Sequence, residues 1–483
     1  MRLFAMTVIC AIATTMAHAQ NAASSQTTKE PPVTTTATTP KVTVTTLDGP
    51  SPDPVGLLPS DVTGLPRDLW AASDSDTLAQ LITALPAQSL PAIDQLLMTL
   101  LLAEADAPLG AGPDGALFIA RIDKLLDLGA LDPALALLDQ VDPTAPAVFP
   151  RWFDVSLLTG GASDACKVMR DTPNLAPTLP ARIFCMARGG DWSAAALTLN
   201  THRVLGDITP QQEALLSRFL DPELYEDEPS LPIPPQITPL VFRMHEAIGE
   251  AIPTTSLPHA FAHSDLRSTT GWKAQLEAAE RLARVGAVSE NVLFGAYMAR
   301  TPAASGGIWN RAKAIQKLDT AIKDNDADAI ANHLPAAWAA MRRAKLELPF
   351  ATYFAPLIAD RNDIGPLAKT IRLLSPDYEI AANDATPDFL TSLASGAPTD
   401  ARSPREMAIQ SAFTGADPAA ELEALARNGQ LGEALLTSIT TFDAGFRGDM
   451  TALSDALAFW RFVGLEDLAR RAALQLLILD RRT

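Results

Sequence analysis

Residues 420–436 read AELEALARNGQLGEALL. Leu422, Leu425 and Ala426 fall at spacings of three and four, which places one apolar stripe along a helix. Gly429 interrupts that pattern, and a glycine just past a helix end favours the left-handed turn that other residues avoid. Leu431 then caps the hairpin with a large apolar side chain, and Ala434 is small enough to let a second helix approach the first. The stretch therefore reads as helix, left-handed turn, helix.

The same order recurs. Gly129 is followed by Leu131, Ala134 and Leu135; Gly190 by Trp192, Ala195 and Ala196; Gly464 by Leu465, Leu468 and Ala469. ARIFCMARGGDWSAAAL, residues 181–197, again sets an amphipathic helix before the glycine. These segments resemble the helix–turn–helix unit of tetratricopeptide-like repeats, and Gly429 and Gly464 are separated by close to that family's period. The resemblance covers about a third of the chain and implies an α-solenoid, a scaffold whose concave surface binds peptides or proteins. It implies no particular ligand.

Helix-period apolar spacing also runs through residues 77–82, 93–102 and 117–126. Prolines stand at or just before helix starts in Asp132-Pro133, Thr209-Pro210 and Asp417-Pro418, where the missing N–H costs no hydrogen bond. Alternating β-branched runs are nearly absent. The expected class is all-α, an irregular helix-hairpin repeat array in two helical regions, 56–220 and 241–483. Between them, 221–240 holds five carboxylates in Asp221–Glu228 and recurrent prolines, so it is expected to be a linker or a strap over the surface. A second irregular stretch, 252–272, is expected to line a groove.

The chain opens MRLFAMTVICAIATTMAHAQ. One early Arg2, a short apolar run and Ala17-His18-Ala19 form the pattern of a secretory signal peptide, residues 1–19, cleaved after Ala19. No small-residue lipid-attachment pattern precedes Cys10. The Thr/Pro-rich tract 20–55 is too polar to pack and reads as a disordered tether. No other stretch is long and apolar enough to span a bilayer, so the expected location is the bacterial periplasm. A formal net charge of −18 over 483 residues disfavours nucleic acid as a partner, and 47% hydrophobic residues suffice for a packed core.

Of the three cysteines, cleavage would leave Cys166 and Cys185. A helix ending near Thr172 and another starting near Leu179 would form an antiparallel hairpin with the two cysteines level across it. Neighbouring helix axes lie about 8–10 Å apart, within reach of facing Cys side chains. Metal binding needs more ligands than this segment holds, and a redox pair favours Cys-x-x-Cys. The pair is expected to be a structural disulfide in an oxidising compartment.

The remaining candidates are few. Gly110-Ala-Gly112-Pro-Asp-Gly115 matches a dinucleotide-binding spacing but follows a helix rather than a strand, so it reads as an interhelix turn. His259 and His263 would share a helix face at the spacing of paired metal ligands. Pro258 and the following Asp265 leave room for two turns at most, and surface positions explain them as well. Ser305, Gly306 and Gly307 precede a helix carrying Trp309, Arg311 and Lys313, a local basic face that either contacts an anionic ligand or partner, or simply caps and packs. Arg470, Arg471, Arg481 and Arg482 read as helix-end charges favoured by the macrodipole.

Nucleophile elbows, phosphate loops, zinc-protease helices and cysteine clusters are absent, and no cofactor is implied. The leading expectation is an exported protein that binds an envelope protein or peptide without catalysis. Some lytic transglycosylases carry a similar long superhelix, so a peptidoglycan-associated protein, an activator or degenerate relative of such an enzyme, is the alternative. A small-ligand site within 252–317 is a third.

Overall fold

The computed structural model describes residues 50–359, 364–383 and 388–479. The signal-peptide reading, most of the tether and Arg481 and Arg482 lie outside the described residues. Among the described residues the fold is all-α: there are no strands, only the isolated bridges Leu58–Ala103 and Asp74–Leu109. No helix among them is long and apolar enough to cross a membrane.

The hairpin glycines act as the sequence suggests. Gly129, Gly190, Gly429 and Gly464 all have φ between 76° and 89°. At each, the glycine and its successor donate backwards onto carbonyls of the helix just ended, as in Gly429 N–H to Ala426 and Gln430 N–H to Leu425. This satisfies carbonyls that a helix end otherwise leaves bare. The same bond pair is built at Asn325 and Lys345, both at φ 57°, where no glycine marks the turn. Thr209-Pro210 opens its helix with a full capping box to Gln212. Pro133 instead falls at the third position of Leu131–Leu138, still among the N–H groups that lack intrahelical partners.

Packing follows chain order, then closes on itself. Helix Ser75–Ala84 packs on Ala116–Leu128, which meets the segment His259–Leu266. That segment packs on Trp272–Ala283, and contacts continue through Glu290–Met298, Glu347–Phe354, Leu367–Leu373 and Phe389–Ala394. Phe389–Ala394 then packs on the last described helix, Glu466–Ile478, and this lies against Pro91–Leu102 near the start. The junction is intimate. Gln475 Oε1 accepts from Ala92 N–H at 2.8 Å, and Gly432 N–H donates to Leu69 O at 3.0 Å beneath the buried Trp70 ring.

Four helices leave this circuit as a lobe: Ala162–Asp171, Leu179–Arg188, Trp192–Leu205 and Pro210–Leu220. They share a separate core with Phe149 and Phe153, centred on Met169, Phe184 and Leu216. Residues 221–240 return from the lobe as a fastened strap: Arg218 donates to Glu228 and to Pro229 O, and Glu250 accepts from Leu231 N–H.

Two expectations change. Residues 50–55 are packed rather than tethered: Asp53 is fully buried, accepting from Phe118 N–H and the Ser75 hydroxyl. Fully buried Arg121 donates to the carbonyls of Leu101, Ala103, Asp53 and Val55. Within 252–272, Ala260, Phe261 and Ala262 are buried, and Arg281 donates to Thr254 O and Leu257 O, which fastens this stretch to helix Trp272–Ala283. Arg470 and Arg471 lie in the first half of their helix, where the macrodipole does not favour cations. They are held by Glu466, Glu379 and Asp467 instead.

Candidate functional site

Where the circuit closes, six separated segments line a cavity of about 550 Å³. Pro91–Leu102 and Glu466–Ile478 contribute Leu96, Met98 and Leu468; the turn after Trp272–Ala283 contributes Val288, and Glu347–Phe354 contributes Leu348. Leu374 and Pro376, with Thr63 and Leu65, complete the wall, and none of the lining side chains is aromatic. Among the polar groups of the lining, four matter most here. Arg471 is used by Asp467 and Pro376 O and lies over the Tyr378 ring. Arg284 is used by Ala344 O and Glu280. Gln475 and Glu290 also line the space.

The lobe offers a different kind of surface. Helix Trp192–Leu205 starts at Asp191, whose carboxylate caps Ala194 N–H. It buries only Ala195 and Leu199. Leu197 is 69% exposed, Val204 83% and Leu205 65%, and positions seven and eight apart lie on one helix face. Trp192 is 49% exposed, its ring 6.1 Å from that of Phe219. Exposed apolar side chains gathered on one rigid face are characteristic of interaction surfaces.

Cys166 and Cys185 lie at disulfide distance in the lobe, on helices ending at Asp171 and starting at Leu179 as expected. Both are buried in the lobe core, with Cα atoms 4.8 Å apart, so the bond joins Ala162–Asp171 to Leu179–Arg188, the helix on which Trp192–Leu205 packs.

The basic face around residue 305 is broken up. Ser305 and Lys313 are exposed, and Gly306 N–H is taken by Asn310 Oδ1. Gly306 and Gly307 both have positive φ and lead into the helix Gly307–Lys323. Trp309 packs 5.1 Å from the Trp272 ring. Arg311 turns inward and grips both oxygens of buried Glu280 at 2.6 Å, while Tyr297 donates to the same carboxylate at 2.5 Å. Burial, and then the Glu280 charge, hold the Tyr297 hydroxyl protonated well above the usual phenol range. The strongest cation of the expected anion site is therefore committed to an internal ion pair.

His259 and His263 sit in a 3-10 rather than an α-helical segment. At three residues per turn, positions four apart diverge by about 120°, so the rings do not share a face. His263 Nε2 bonds Gly129 O at 2.6 Å, and His259 Nε2 lies 3.2 Å from Gln88 Nε2. Burial lowers both pKa values, which favours neutral rings that brace the Gly129 turn. Among the described residues no group of three or more His, Cys, Asp or Glu could hold a metal.

Sequence reasoning missed Gln475 and the exposed face of Trp192–Leu205. Gln475 is the one polar residue in AALQLLI, residues 472–478, and a buried polar group in such a run needs a partner. The lobe helix carries apolar residues on two faces, Ala195 with Leu199 and Leu197 with Val204, where a single buried face needs one. The chain matches no protein-family model, and neither curated proteins nor solved structures show significant similarity to it.

Proposed function

We propose that this chain is an exported, periplasmic helical-repeat protein that binds a protein partner in the cell envelope and performs no chemistry itself. The observation that carries this reading is the apolar face of Leu197, Val204 and Leu205, left bare on a helix of the lobe. The Cys166–Cys185 bond supports export, since such bonds persist in oxidising compartments. The recurring left-handed hairpin turns support the solenoid-like reading, with the addition that the array closes into a circuit.

A photo-crosslinking residue at 197, 204 or 205, in living cells of the native host, tests the partner surface. One envelope protein should be captured from these positions and not from 313, on the basic helix. Capture from 313 alone would move the partner to that helix, and recovery of cell-wall fragments would favour the peptidoglycan-associated alternative. Fractionation and N-terminal sequencing test export, with Gln20 expected as the first residue. Release of muropeptides from peptidoglycan by the purified chain would overturn the absence of catalysis.

A further inference from the structure

Two groups on the cavity wall, one buried and one charged, are not used by the protein itself. Gln475 is only 5% exposed, and its Oε1 is used by Ala92 N–H. Its Nε2 has no acceptor among the described residues, although the residue lines the cavity. This Nε2 is therefore open to the cavity, where a ligand carbonyl can serve as its acceptor. Glu290, half-buried on another wall, makes no hydrogen bond or ion pair among the described residues. Of the guanidinium groups at the lining, Arg471 is held by Asp467 and Arg284 shares the Glu280 carboxylate with Arg311, while Glu290 brings a negative charge to the wall.

We propose that this cavity binds the amino-terminal end of a short aliphatic peptide. The ammonium group pairs with Glu290, a peptide carbonyl accepts from Gln475 Nε2, and aliphatic side chains pack among Leu96, Met98, Val288, Leu348 and Leu468. Its volume lies within the range of small-ligand sites, about 300–1,000 Å³. The lining excludes other classes. Without an aromatic side chain there is no stacking surface for a nucleobase or a sugar ring, and an anionic lipid head would meet an unpaired carboxylate. The amide of Gln475 that would read the peptide is also the group that joins the last helix to the first, so the ligand sits on the closure of the circuit. This site is separate from the lobe face and does not depend on it.

Isothermal titration of the full chain with leucyl-leucinamide tests the proposal, with N-acetyl-leucyl-leucinamide, decanoate and diacetylchitobiose as comparisons. The free-amine peptide should bind at least about tenfold tighter than its acetylated form, since a charged hydrogen bond is about twice as strong as a neutral one. Glu290→Gln, at a half-exposed helix start, should abolish that preference. Gln475→Glu keeps an acceptor for Ala92 and removes the donor, so it should weaken the acetylated peptide, which has no ammonium for the new carboxylate to attract, about tenfold. The proposal is overturned by no saturable heat with leucyl-leucinamide at millimolar concentration, or by equal affinity for both peptides. Tighter binding of decanoate or diacetylchitobiose, or a preference that survives in folded Glu290→Gln, overturns it equally.

Discussion

Gly432→Ala tests whether the two ends of the chain are joined. Gly432 lies in the first turn of Leu431–Phe446, and an added Cβ would fall 2.3 Å from Cε3 and Cζ3 of Trp70 and 2.8 Å from Leu69 O. Carbon atoms prefer about 3.5–4.0 Å, so the rigid indole or the helix must move by more than about 1 Å. Trp70 is fully buried and has no open side to move into. Overpacking of this kind costs about 1–3 kcal/mol, and a collision with a ring and a backbone oxygen belongs at the upper end. If the helix withdraws, the bond from Gly432 N–H to Leu69 O is also lost, about 1 kcal/mol more. Alanine's helix propensity returns at most about 1 kcal/mol. The net expectation is destabilisation by about 2–3 kcal/mol.

Gly295→Ala is the control. It lies inside Glu290–Met298 with nothing within 4 Å of its added Cβ, so only the propensity gain applies and stability should rise by up to about 1 kcal/mol. Chemical denaturation of both variants, followed by tryptophan fluorescence and far-ultraviolet circular dichroism, should give changes of opposite sign. If Gly432→Ala is as harmless as Gly295→Ala, Trp70 does not rest on that helix and the closed circuit is wrong.

Arg121→Met should destabilise the chain by about 3–5 kcal/mol in the same assay, because it leaves four buried carbonyls without a donor and removes the positive charge that acts on buried Asp53. Burial pushes the Asp154 carboxyl up to about 6, only partly opposed by Arg151, and it accepts no hydrogen bond among the described residues. A raised carboxyl pKa means the folded chain holds the proton longer than the unfolded one, so this group's contribution falls as pH rises from about 4 to 6. Asp154→Asn should therefore stabilise the protein at pH 7 by on the order of 1–2 kcal/mol, and the difference from the parent should vanish below about pH 4. Cys166→Ser with Cys185→Ser should cost about 3 kcal/mol, read as earlier unfolding in denaturant; no change would show that the lobe does not need the bond.

The local rules were legible because each concerns neighbours in sequence. Gly429 announces its turn since glycine alone adopts positive φ without strain, and Thr209-Pro210-Gln-Gln212 spells its capping box. The same turn at Asn325 and Lys345 stayed hidden, because the surrounding packing imposes a left-handed conformation that those residues do not advertise. The cysteine hairpin was readable for the same local reason: one turn sets the register of both helices.

What sequence alone determined is therefore the helical class, the hairpin turns and the level placement of Cys166 and Cys185. Tertiary structure decided which groups face water and which face one another. Arg311 reads as a surface cation and becomes the partner of Glu280, while Gln475 reads as a blemish in an apolar run and becomes the clasp on Ala92. Those pairings join residues far apart in the chain, and no local propensity encodes a contact whose two halves are fixed only when the ends of the circuit meet.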